Sequence, residues 1–191
     1  MDAIEPNPAD KEIEPAVDSH GEIRTQIAAL VPDLRGFARF LARDRAAADD
    51  LVQDALVRAL AALHQFRPDS NLKAWLFAIV RNAFYENARR RKRETVGLPG
   101  HDPAALSTRP DVETRAEMRD LNAIIWSLPP LLREALILVG AQEMTYDEAA
   151  LVCGVPVGTV KARVSRGRTA LAAALRRADT QTNSPHDVAD T

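Results

Sequence analysis

Residues 145–168, TYDEAALVCGVPVGTVKARVSRGR, decide how this chain is read, because they spell a helix, a tight turn and a second helix with a basic face. From Tyr146 to Val152 the residues Ala149, Ala150 and Val152 fall on an inward side. Gly154 supplies a C-terminal stop, and Pro156 forbids continuation until a new helix begins near Val157. In that second helix Val157, Val160, Val164, Gly167, Leu171 and Leu175 share one side at helical spacing. Thr159, Ala162, Arg163 and Arg166 point away, with Lys161 and Arg168 on the flanks. An apolar back and a cationic front suit a helix laid in the DNA major groove. The competing reading is an amphipathic helical hairpin whose arginines form a solvated face.

The rest of the chain weighs against that plainer reading. A second helical block ends in Arg89-Arg90-Arg91-Lys92-Arg93, so two basic elements sit at the ends of two modules, which suggests a protein spanning a long site. The 191 residues, 46% of them hydrophobic, suffice for one or two small cores. The formal charge of −2 hides an uneven distribution. Residues 1–22 carry seven carboxylates against Lys11, a local −6, which leaves about +4 on the remainder. Cys153 is the single cysteine, so an intrachain disulfide is impossible and a reducing, cytoplasmic setting fits. His20, His64, His101 and His186 are scattered, and no metal or nucleophile spacing appears, so neither an enzyme, a cofactor, a metal site nor a small-molecule substrate is expected. No apolar run approaches a membrane span of about 20 residues.

The expected fold class is all-α, with two small helical domains joined by a flexible linker. Residues 1–20 read as an acidic disordered tail, 21–93 as a first domain, 94–111 as the linker, 112–177 as a second domain and 178–191 as a polar disordered tail. Helices are expected over 22–42 with an interruption at Pro32, then over 45–64 and 71–91. In the second domain they are expected over 112–127, 130–140, 145–153 and 157–177.

In the first domain ADDLVQDALVRALAAL (48–63) places Leu51, Ala55, Leu56 and Leu60 near one side and leaves Asp49, Asp50, Gln53, Asp54 and Arg58 for solvent or a partner. The loop 66–71 is polar around a rigid proline, and Ser70 or Asn71 can cap the next helix. That helix mixes Trp75, Phe84 and Tyr85 with Lys73, Arg81, Asn82 and the arginine run. Such a mixture either stacks unpaired bases and holds phosphates, or buries its aromatics and leaves only the arginines to touch a partner.

Three strings in one order carry a resemblance: ADDLVQDALVRAL, then FRPDSNLKAWLFAIVRN with its basic run, then SLPPLLREALILVGAQEMTYDEAALVCGVPVGTVKARVSRGRTAL. Together they resemble regions 2 and 4 of bacterial sigma factors of the extracytoplasmic-function (ECF) type, over about 30–93 and 121–175. LLREALILVGA (131–141) resembles the EcfG subgroup, the general-stress-response sigma factors of alphaproteobacteria.

The resemblance implies a non-catalytic protein that binds core RNA polymerase and directs it to promoter DNA. Asp49, Asp50, Leu51, Gln53 and Asp54 correspond to the part that docks on the β′ clamp helices. Asp69, Ser70 and Asn71, with Lys73, Asn82 and Arg89, Arg90 and Arg91, correspond to the part that melts the −10 element and captures an extruded base. Lys161, Ala162, Arg163, Ser165 and Arg166 correspond to the recognition helix for the −35 element. Ala162 departs from the serine common there and offers no side-chain hydrogen bond. The resemblance further implies an anti-sigma factor that covers these surfaces. Two alternatives belong to other classes: a decoy that mimics a sigma factor to bind the anti-sigma factor, and a helix-turn-helix repressor that acts without polymerase. A decoy needs no cationic reading face, and a repressor leaves the first domain without a use.

Overall fold

The structure, a computed structural model, describes residues 19–67, 69–95 and 116–182, and every regular element within them is helical. The α-helices are α1 (Ser19–Ala42), α2 (Arg45–Ala61), α3 (Leu72–Thr95), α4 (Ala116–Ser127), α5 (Pro130–Leu136), α6 (Tyr146–Cys153) and α7 (Val157–Thr182). A short 3-10 turn, Leu63–Gln65, follows α2, and a π-helical turn, Ile137–Ala141, extends α5. Of the expected tails and linker, Ser19 and His20 belong to α1, Glu94 and Thr95 close α3, and α7 runs on to Thr182. Residues 1–18, 96–115 and 183–191 lie outside the described residues.

The helix ends follow from local chemistry. Asp44 starts α2 from an extended conformation and accepts a hydrogen bond from the Ala47 amide at 2.8 Å. Gly154 ends α6 in the left-handed region, with φ 64°, where its missing Cβ removes the penalty other residues meet. The α1 helix corrects the expected interruption, for it runs unbroken through Pro32. Pro32 deprives the Ala28 carbonyl of its donor, but both residues are exposed, so water can take the vacated bond.

Helices α1–α3 form one block around Phe37 and Phe77, whose rings lie 5.0 Å apart with Leu34, Val52, Leu76 and Val80 buried beside them. Helices α4–α7 form the second around Leu138, Val152, Val160 and Val164. These blocks are not held apart. The α3 helix lies against α6, and α1 touches the π-helical turn, so one continuous apolar cluster runs through both.

Gly167 is the most crowded glycine described in the second block: an added Cβ would come within 2.9 Å of Leu136 Cγ and 3.3 Å of the Leu132 carbonyl oxygen. Gly167→Ala is expected to destabilise the chain by about 1–3 kcal/mol, because overpacking there outweighs the ~1 kcal/mol gain in helix propensity. Gly158 on the same helix has open space around its Cβ position. Gly158→Ala should therefore stabilise by about 0.4–1 kcal/mol. Urea titration of the two variants checks the opposite signs.

Candidate nucleic-acid interface

The α7 helix buries Val160, Val164 and Gly167 and turns Lys161, Ala162, Ser165, Arg166 and Arg168 to solvent. Arg166 Nε donates to the Ala162 carbonyl at 3.3 Å, and Lys161 Nζ lies 5.8 Å from the Tyr146 ring centre. Arg163 corrects the expected front face: it is half-buried, folded towards Cys153, and its Nη1 is buried without a hydrogen-bond partner. A residue four positions before Gly167 and three after Val160 lies at the edge of the apolar stripe, so its long side chain turns inward. Burial pushes the Cys153 thiol up to about 11, so it stays protonated at neutral pH.

The loop before α3 spends its polar groups locally. Ser70 Oγ donates to the Arg67 carbonyl at 2.6 Å, and Asn71 Oδ1 accepts from the Ala74 amide at 2.8 Å, which makes Asn71 the cap of α3. Asp69 and Ser70 are exposed. Lys73 is half-buried, 3.2 Å from an Asp33 carboxylate oxygen, and donates to the Gln142 carbonyl at 3.0 Å. Trp75 is half-buried against Phe66, with ring centres 5.1 Å apart. Asn82, Arg89, Arg90 and Arg91 are exposed, and Arg90 lies 3.9 Å from Glu94. Asp69, Ser70, Asn71 and Lys73 are thus brought to one end of α3, while Asn82 lies midway along the helix and the arginine run near its other end.

On α2, Asp50 and Gln53 are exposed; Asp49 lies 3.5 Å from Arg35, and Asp54 3.0 Å from Arg58. Arg58 also reaches Glu86 of α3 at 2.6 Å. Leu51 is corrected: at 5% exposure it belongs to the core and cannot meet a partner. The buried stripe is Ala48, Leu51, Val52, Ala55 and Ala59, which leaves Leu60 exposed where burial was expected, with Val57 beside it.

A polar cluster absent from the sequence reading joins the blocks. Glu134 on α5 is 3% exposed; it takes the Arg81 guanidinium at 2.7 Å and the Tyr85 hydroxyl at 3.5 Å. Burial opposes the Arg81 charge, but the Glu134 carboxylate and its hydrogen bond prevail and raise the Arg81 pKa. Tyr85 is raised as well, first by burial and then by the Glu134 charge. Beyond it Trp126 is flanked by Arg133 at 3.8 Å and by Arg43 of the first block at 5.3 Å.

Thr145 and Glu148 form a reciprocal capping box at the start of α6, and the second oxygen of Glu148 accepts from Asn71 Nδ2 in the first block. Thr145-x-x-Glu148 was a legible signal for the box. The bonds from the Thr145 amide and hydroxyl hold the Glu148 carboxyl below its usual pKa. A depressed carboxylate contributes fully above its ordinary value and loses that contribution as pH falls through the depressed one. Stability from this group should hold from pH 7 to about 5 and decline by about 1 kcal/mol or less below about 4. Urea midpoints across pH should show that decline in the parent and a smaller one in Glu148→Gln.

Residues 27–94 match Sigma-70 region 2, and residues 118–171 match Sigma-70, region 4. The chain is 45% identical over 161 residues to the ECF RNA polymerase sigma factor EcfG of Rhodopseudomonas palustris (strain TIE-1), covering 84% of this chain and 87% of that one. This chain belongs to the ECF sigma factors, of the EcfG type. Its fold matches the sigma factor RpoE of Bartonella quintana, solved in complex with the anti-sigma factor NepR, with TM-score 0.72 and 38% identity over 81% of this chain and 97% of that one. It also matches CnrH, solved with the cytosolic domain of CnrY, with TM-score 0.61 and 28% identity over 83% and 90%. The sigma factor carries its two family regions on its two structural blocks, and its function is that of an alternative sigma factor in transcription initiation. Among the described residues no helix is long and apolar enough to cross a membrane.

Proposed function

We propose that this sigma factor, acting in the cytoplasm and without catalysis of its own, joins core RNA polymerase and directs it to stress-response promoters. The domain limits are those read from the sequence: 21–93 for polymerase and the −10 element, 112–177 for the −35 element. The observation that carries the reading is the exposed cationic side of α7 in the same chain as the exposed acidic side of α2. Asp49, Asp50, Gln53 and Asp54 dock on the β′ clamp helices. The loop 69–71, with Lys73 and Asn82, holds an extruded −10 base, and Arg89, Arg90 and Arg91 hold the phosphates around it. Lys161, Ser165 and Arg166 read the −35 element, and Arg163 joins them only if its side chain turns out from its half-buried place. A small anti-sigma protein covers these surfaces when the factor is idle; the solved complexes of RpoE with NepR and of CnrH with CnrY support a partner of that kind. The retained cationic face favours this reading over a decoy that never meets DNA.

Run-off transcription with purified core polymerase on a set of candidate promoters tests it. Specific initiation that depends on the added chain is expected. Tight, sequence-specific binding by the isolated chain with no stimulation of transcription would support a repressor instead. Arg166→Ala should weaken −35 recognition by about 1–3 kcal/mol if the contact is bidentate to a base. Parental transcription from every promoter would show that the reading face lies elsewhere.

A further inference from the structure

A cavity of about 220 Å³ opens where α1, α3 and α5 meet, with no residue of α2 or α7 in its wall. Phe37, Phe40 and Leu41 of α1, Phe84 of α3, and Pro130 and Ile137 of the second block give it apolar sides. An apolar cavity of about 150 Å³ already takes a benzene ring, so this one has room for a one-ring body with a short polar substituent. None of the contacts proposed above for polymerase or DNA uses it.

The charge at the wall selects among such molecules. Arg133 lines the cavity, is half-buried, and forms no ion pair among the described residues. The two backbone carbonyls it meets, those of Trp126 at 3.1 Å and Leu128 at 3.4 Å, both take Nη1, so the rest of its planar fork can meet a carboxylate. Burial holds the Arg133 pKa below its usual value, and the nearby Arg43 charge acts in the same direction. The two guanidinium groups share the Trp126 ring, at 3.8 and 5.3 Å from its centre. Glu134, the carboxylate at the wall, lies 2.7 Å from Arg81, and that pair carries no net charge. The site is therefore cationic, and a half-buried guanidinium gains most from an anion that reaches it inside the cavity.

We propose that this cavity is a binding site for a small aromatic carboxylate, whose ring enters between Phe40, Phe84 and Ile137 and whose carboxylate accepts from the Arg133 guanidinium. The ligand is bound and not converted. A neutral ring of the same size fits the same walls but leaves Arg133 without a counter-ion, and a cationic ring is repelled.

Calorimetric titration of the full chain with benzoate, benzamide and benzylamine separates the ring from its charge. Benzoate is expected to saturate one site per chain with a dissociation constant of about 1 mM or lower. Benzamide should bind at least about tenfold more weakly, and benzylamine should show no saturable binding. Nuclear Overhauser contacts from the benzoate ring protons to the Ile137 methyl groups place the ligand. Arg133→Gln should bring benzoate down to the affinity of benzamide and leave benzamide unchanged. If that variant loses its cooperative thermal transition, Leu41→Trp takes its place: it fills the cavity from α1, keeps Arg133, and should abolish benzoate binding.

Equal affinity for benzoate and benzamide, or parental benzoate affinity in a folded Arg133→Gln chain, overturns the role of Arg133. A preference for benzylamine means that Glu134 sets the charge of the site and overturns the ligand class. The site itself is overturned by the absence of saturable benzoate binding at about 10 mM, by Overhauser contacts only to residues outside the cavity, or by parental binding in a folded Leu41→Trp chain.

Discussion

Phe37→Ala is expected to lower the free energy of unfolding by about 3–5 kcal/mol, a large share of what a domain of this size possesses. Phe37 has no exposed surface, and its ring meets that of Phe77 at the place where α1 crosses α3. Truncation loses both the transfer of the ring from water and the aromatic contact, and leaves a cavity among close-packed side chains that include buried Leu34, Leu76 and Val80. The functional consequence follows from position. Helix α1 supports both the acidic face of α2 and the loop before α3, so polymerase binding and promoter opening should fall together as the temperature rises. Urea denaturation followed by circular dichroism gives the magnitude; a loss under about 1 kcal/mol would mean that the crossing is far looser than the contact between the rings indicates.

Asp54→Arg should act on function while sparing the fold. Asp54 is part-exposed and holds Arg58 one helical turn away, and Arg58 keeps a second acceptor in Glu86. Replacing the carboxylate sets a cation beside Arg58, a cost of a few tenths of a kcal/mol within the helix. At an interface with a basic partner the same change removes one attraction and adds a repulsion, which typically costs about 2–4 kcal/mol, or roughly 30- to 1,000-fold in affinity. Titration of labelled sigma factor with core polymerase measures it. Duplex −35 binding, which the proposed function places on α7, serves as the internal control. Parental affinity for core enzyme in a folded Asp54→Arg chain would remove the acidic face of α2 from the docking surface.

The all-helical fold was legible because its apolar spacing is regular and its stops are explicit, as at Gly154 and Pro156. Proline disturbs a helix through both its lost donor and the clash of its ring with the preceding turn, and α1 can accommodate Pro32 because the freed carbonyl faces water, a side of the helix that the sequence does not reveal. Leu51 was assigned to a docking face although its spacing with Ala55 already placed it inward; the motif taken as a unit overrode the periodicity within it. Arg163 could not be placed from spacing alone, since a residue on the margin of a stripe can turn either way. Glu134 gave no local signal at all. A glutamate within a short helix reads as solvated, and only the approach of Arg81, 53 positions away, makes its burial tolerable. The polar end of α3 was found, but its occupation by Glu148 and Gln142 depends on how two blocks meet, which no periodicity within either one encodes.

The chain contains two tryptophans, and the fold gives them different jobs as optical reporters. Trp75 packs on Phe66 within the first block, so its emission reports that contact. Trp126 belongs to the second block yet has Arg43 of the first near its ring, with Arg133 closer. Its emission and its quenching by iodide depend on whether the blocks are together. With Trp75 replaced by phenylalanine, the remaining indole becomes a built-in gauge of block separation that needs no dye, usable in the same cuvette as a binding titration.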